Sequence, residues 1–113
     1  MQKNSVNKVI LVGHLGANPE ARYTKSGRPI VSFSLATNEQ WKTKEGQTTE
    51  HTEWHSIIAW DKLAEFAQQY LYKGQLVSVE GTIHTRSWEN KEGAKGKTTE
   101  IVCSSIVPLE WKK

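Results

Sequence analysis

A chain of 113 residues has room for one domain with a modest core and not for two. Fifteen Lys and Arg against twelve Asp and Glu leave a net charge of +3, a mild basic excess that fits a polyanionic partner without requiring one. A lone cysteine excludes an internal disulfide, and the apolar run Val9 to Val12 is far too short for a signal peptide or membrane span, so a soluble cytoplasmic protein is expected.

The chain opens with "SVNKVILVG" (5–13), a β-branched strand ended by Gly13 and Gly16. Gly and Pro then make 13–29 mostly loop, with a short extended piece at "EARYT" (20–24). "IVSFSLAT" (30–37) alternates: Val31, Phe33 and Leu35 share one side, Ser32, Ser34 and Ala36 the other, as in a half-buried strand. A polar hairpin connection, "KTKEGQTTE" (42–50), leads into "HTEWHSIIAW" (51–60). As a strand, that segment points Trp54, Ser56, Ile58 and Trp60 to one face and His55, Ile57 and Ala59 to the other.

"DKLAEFAQQYLYKG" (61–74) predicts the one helix. Asp61 suits its N-cap, Gly74 the position past its end, and Lys73 the negative end of its dipole. Leu63, Phe66, Ala67, Tyr70 and Leu71 form an apolar stripe at helical spacing, expected in the core. "QLVSVEGTIHTRSW" (75–88) is a long strand with Gly81 placed for a bend or bulge. After a polar hairpin at 89–97, "TTEIVCSSIVPL" (98–109) returns as a strand and stops near Pro108; Cys103 reads as a small apolar residue within it rather than a nucleophile. Five strands with one helix between the third and fourth predict an all-β OB-fold, a five-stranded Greek-key barrel spanning 1–109, followed by a short basic end, 110–113.

His51 and His55, four apart with Glu53 between them, raise a metal reading. A helical zinc motif needs the Glu directly after the first His, and here it stands one place later. On a strand the two His stand roughly 13 Å apart, at about 3.3 Å per residue, too far to share a zinc ion. No metal site, cofactor or catalytic residue is expected, and "GHLG" (13–16) is only a turn.

The aromatic composition is more informative. Five of the ten aromatics are Trp, and a small domain cannot readily hide five indoles. Unselective single-strand binders lay bases on exposed aromatic faces beside cations, because every base has a π-face. Trp41 precedes "KTK", and Trp88 follows Arg86 and precedes a loop holding Lys91, Lys95 and Lys97; both are expected exposed. Trp54 and Trp60 share a face, which is either this working surface or the barrel interior beside Ile58. Trp111 reads as a packing residue or a frayed end.

"VNKVILVGHLGANPEARYT", "FSLAT", "TEWHSIIAW", "KLAEFAQQYLYKG" and "VEGTIHTRSW", in this order, resemble bacterial-type single-stranded-DNA-binding proteins from about residue 5 to 107. The resemblance implies an OB-fold subunit of a homotetramer that wraps single-stranded DNA in replication, recombination and repair, at the nucleoid. Carried over by position, base stacking falls on Trp41, Trp54, Trp60 and Trp88, the third being Phe in many relatives. Phosphate contacts fall on Arg22, Lys62, Lys73 and Arg86, and His55 falls near the subunit interface. The "VNKVILVG" strand is implied to pair with its copy in a neighbouring subunit. Such proteins usually continue into a flexible linker and an acidic tip that recruits replication and repair enzymes. This chain ends on the basic "PLEWKK", so recruitment through such a tip finds no support in it. The alternatives are an OB-domain accessory protein of replication restart, marked by preference for a protein partner, and a small metal-dependent hydrolase, marked by bound zinc.

Overall fold

The computed structural model describes residues 3–111. Its core follows from strand alternation. Val31, Phe33 and Leu35 of β3 (Pro29–Lys42) and Ile57 and Ala59 of β4 (Thr48–Trp60) point inward and are fully or almost fully buried. They meet Leu15 of β1 (Val9–Leu15), Val77 and Val79 of β5 (Leu76–Glu89), and Ile101 and Ile106 of β6 (Lys95–Pro108). The helix α1 (Asp61–Tyr70) adds Ala64 and Ala67 to the same cluster.

The strand order is β1-β5-β6-β4-β3, and β3 returns to β1 at His14–Ala36 and Leu15–Leu35, so five strands close into a barrel with the helix between β4 and β5. This is the expected OB-fold. The extended piece at 20–24 is β2 (Glu20–Tyr23), which pairs with β3. One junction is parallel, β4 against β6 at Ile57–Ile101 and Ile58–Val102. The register shift between Glu80 and Gly81 is the bulge that Gly81 predicted.

Local expectations are corrected at four places. Gly13 does not end β1 but lies inside it, where a Cβ would strike the Ala36 carbonyl; the glycine lets two strands cross closely where the barrel closes. Asp61 is not the N-cap. Trp60 holds that position, and its indole offers no acceptor, so no side-chain cap is seen among the described residues; the Asp61 carboxylate is bound by Arg28. The helix ends at Tyr70 rather than near 74, and Gly74, with φ of 86°, serves the turn that follows; Lys73 therefore lies outside the last helical turn. Within the apolar stripe, Tyr70 is exposed and Ala64 is buried in its place.

The strands also run further than their apolar alternation. β3 and β4 continue as a ribbon to Lys42 and Thr48, and β5 and β6 to Glu89 and Lys95. Neither ribbon tip needs a buried face. Backbone ladders and cross-strand polar pairs hold them: Thr52 Oγ1 donates to Asn38 Oδ1 at 2.7 Å, and Thr85 and Thr99 share a hydrogen bond at 3.1 Å.

Packing continues past residue 109. Gln75, fully buried, donates from Nε2 to the Glu110 carbonyl at 2.7 Å, and the Glu110 carboxylate accepts from the Leu76 N–H at 2.9 Å. Trp111 meets Tyr70 edge-on with ring centroids 5.9 Å apart, a packing role rather than a frayed end. Of the expected basic end, residues 112 and 113 lie outside the described residues.

Candidate nucleic-acid interface

The β3–β4 register decides which side the Trp54–Trp60 face occupies. Trp60 lies opposite Ile30, Ile58 opposite Ser32, Ser56 opposite Ser34 and Trp54 opposite Ala36, all on the side away from Val31, Phe33 and Leu35. Trp54 is thus on the outer face and 58% exposed, while Trp60 is half-buried. His55, Ile57 and Ala59 take the other side, as the alternation predicted.

That outer face continues across the barrel. Ile58 pairs with Val102 on β6, and the same side of β6 carries Glu100, Thr98 and Gly96, opposite His84, Arg86 and Trp88 of β5. Through β2, Arg22 lies opposite Ile30 and joins the same side. One curved sheet face therefore presents Arg22, Trp60, Trp54, Arg86 and Trp88. Trp41 is the exception: it lies opposite Thr49, on the reverse of the ribbon, and is 48% exposed there.

Two of the indoles are seated on glycines. A Cβ at Gly16 would fall 2.5 Å from Cζ3 of Trp54, and one at Gly96 would overlap Cζ2 of Trp88. Each ring lies flush against backbone, one side supported and the other open. In front of Trp54 a shallow groove runs over Ser32, Ser34 and Ser56, bounded by Asn18 and Glu20. A second concavity holds Trp88 between Lys95 and Lys97.

The cations differ in availability. Arg22, Lys62 and Lys73 are exposed, Lys62 in the first helical turn and Lys73 in the following turn, where its backbone N–H donates to Asn18 Oδ1 at 2.8 Å. Arg86 is already engaged, its Nε donating to Glu100 Oε1 at 2.9 Å, and this hydrogen bond raises its pKa further. Sequence reasoning missed Arg28, whose guanidinium carbon lies 4.5 Å over the Trp60 ring centre. Arg28 Nε donates to Asp61 Oδ1 at 3.1 Å and Nη2 to Oδ2 at 2.8 Å, which holds the Asp61 carboxyl below its ordinary pKa. The pairing of Ile30 with Trp60 brings these distant residues together, so no local signal could have shown it.

His51 and His55 have separate partners. His55 Nε2 shares a hydrogen bond with Thr37 Oγ1 at 2.9 Å on the side away from Trp54, and His51 Nε2 contacts Glu53 Oε2 at 3.0 Å, lowering the Glu53 pKa. Both sit on β4 rather than on a helix. Among the described residues no three His, Cys, Asp or Glu side chains gather as a metal site would need, and no helix is long and apolar enough to cross a membrane.

Comparison with known proteins gives a consistent result. The chain is 53% identical over 108 residues to single-stranded DNA-binding protein 1 of Chlorobaculum tepidum, covering 95% of this chain and 67% of that protein. It is 47% identical over 105 residues to the single-stranded DNA-binding protein of Neisseria meningitidis serogroup A, covering 93% of this chain and 60% of that one. It therefore spans roughly three fifths to two thirds of the length of these curated relatives. Among solved structures, the Plasmodium falciparum SSB in complex with ssDNA superposes with a TM-score of 0.84 at 33% identity, over 97% of this chain and all of that one. A deletion mutant of the single-stranded DNA binding protein from Thermus aquaticus gives 0.80 at 34% identity, over 93% of this chain and 51% of that one. With residues 6–109 matching the profile of the single-strand binding protein family, the chain belongs to that family.

Proposed function

We propose that this protein binds single-stranded DNA without sequence preference and performs no chemistry on it. Bases stack on Trp54 and Trp88 along the outer face, on Trp41 around the ribbon, and at Trp60 on the guanidinium–indole pair that Arg28 forms over the ring, while Arg22, Lys62, Lys73 and Arg86 meet phosphates. The observation that carries this reading is the placement of Trp54 and Trp88, both open, on one continuous face with cations beside them. The names of the relatives support it, as does the DNA complex of the Plasmodium protein. The work of such a binder is to hold strands opened in replication, recombination and repair, at the nucleoid.

The proposed assembly is a homotetramer. Ile10 and Val12 of β1 are 65% and 52% exposed, and Val12 lies beside Ser78, whose other neighbour is the exposed Val107. Among the described residues β1 pairs with β3 only at His14 and Leu15, which leaves its edge from Val9 to Val12 open for a second copy. His55 is assigned to the subunit contacts, on the face turned from the DNA.

Titration with long oligo-dT, read by Trp fluorescence at low salt, tests the reading. Quenching, with log affinity falling against log salt by about 0.7 per phosphate contacted, is expected. A flat signal at low salt removes it. The mass of the protein in solution checks the tetramer.

A further inference from the structure

We infer that Arg28 is a further nucleic-acid-binding residue, holding a backbone phosphate on one edge of its guanidinium while the plane stays on Trp60. This rests on the single-strand reading and extends its site. Nothing in the family resemblance or the sequence pattern pointed to Arg28; the cluster of Arg28, Trp60 and Asp61 does.

The geometry assigns each part of the guanidinium a separate task. Its plane covers Trp60, with the central carbon 4.5 Å from the ring centre. Its Nε–Nη2 edge is taken by the Asp61 carboxylate. Its Nη1 edge meets no protein acceptor among the described residues, although both side chains of the pair are about half exposed, at 54% and 52%. A guanidinium has five N–H donors in a rigid fork, so Nη1 can donate to a phosphate oxygen without displacing the carboxylate.

The support beneath Arg28 is specific. The Thr24–Arg28 loop is closed by the Thr24 N–H donating to the Arg28 carbonyl at 2.9 Å and the Arg28 N–H to Thr24 Oγ1 at 3.0 Å. On the other side, Asp61 keeps a left-handed φ of 56° while its carboxylate holds Arg28. Trp60 lies on the outer sheet face beside Ile30, whose neighbour on β2 is Arg22. A phosphate joining a base stacked on this part of the face would thus lie between two arginines, 22 and 28.

Arg28→Ala is the test, with oligo-dT affinity measured across a salt series beside the wild type, Trp60→Ala and the double variant. Arg28 is exposed and outside the core, so its removal leaves the melting temperature near that of the wild type, and circular dichroism checks this. Expected are a three- to fivefold loss of affinity, the size of one exposed cation contact, and a salt slope shallower by about 0.7. The double variant should lose less than the product of the single losses, because Arg28 depends on Trp60 for its position. Arg28→Lys should keep the slope while losing part of the affinity, since an ammonium cannot lie flat and fork. An unchanged slope in Arg28→Ala, or losses that multiply independently, overturns the assignment. Failure of the wild type to bind would instead remove the single-strand reading itself.

Discussion

Trp54 rests on Gly16, with no space between the indole and the glycine backbone for even one methyl group: a Cβ there would lie 2.5 Å from Cζ3 and 2.7 Å from Ser34 Oγ. Gly16 is therefore part of the stacking surface although it carries no side chain. Gly16→Ala should tilt Trp54 away from the groove and weaken oligo-dT binding by up to about 1 kcal/mol, a fraction of one base stack. Combining it with Trp54→Ala should add nothing to the loss from Trp54→Ala alone. A double-variant titration checks this, and additive losses would show that Gly16 acts elsewhere.

Trp54→Ala and Trp88→Ala each remove an exposed ring. Each should cost about 1–3 kcal/mol of binding and leave the thermal melting curve almost unmoved, because neither ring belongs to the buried cluster. A variant that unfolds instead would reassign its ring to the core.

Trp41 stands on the reverse of the β3–β4 ribbon from Trp54, so a short strand cannot meet both rings on one flat path. An oligonucleotide of about four to eight nucleotides, the lower range for one OB domain, should feel Trp54→Ala strongly and Trp41→Ala hardly at all. Long oligo-dT should feel both. Equal effects of Trp41→Ala at both lengths would mean that the path bends around the ribbon within a few nucleotides.

Trp111, although 59% exposed, is a packing residue at the helix end. It packs on Tyr70, which in turn lies 5.1 Å from Phe66, centre to centre. Trp111→Ala should cost about 0.5–1 kcal/mol of stability in a urea titration, the lower range for an aromatic pair given its exposure. The Trp111→Phe variant should show a larger fractional quench with oligo-dT, since a ring insensitive to DNA has been removed.

Cys103 supplies a pH test. Burial pushes its thiol from 9.0 up to about 11. The native state therefore keeps a proton that the unfolded state releases between these values, so stability is intact below pH 9 and falls as pH rises toward 11. Reaction with DTNB at pH 8 should be slow in the native protein and fast in urea. Rapid native reaction would mean that the β6 interior opens readily.

The parts of the fold legible in the sequence are those with a local period. Val31, Phe33 and Leu35 announce their strand by alternation, and Gly81 its bulge. Trp54 and Trp60 were certain to share a face, because six residues of strand return a side chain to the same side. Which face remained open, since Ile57 and Ala59 on one side and Ile58 on the other are all apolar. Their pairing with Phe33, Val31 and Ser32 settles it, through contacts more than twenty residues apart in the chain. The helix cap failed for a related reason: Asp61 looks like an N-cap to its neighbours, but Arg28, 33 positions away, binds the carboxylate at both oxygens.

By itself, then, the order of residues determined five strands, one helix, their sequence along the chain and a surplus of indoles beside cations, because period and turn chemistry are written within a few residues of each position. Only the tertiary structure decided that Trp54, Trp60 and Trp88 share an outer face, that Trp41 does not, and that Arg28 lies on Trp60. These depend on strand register and barrel closure, which are set by packing between distant segments.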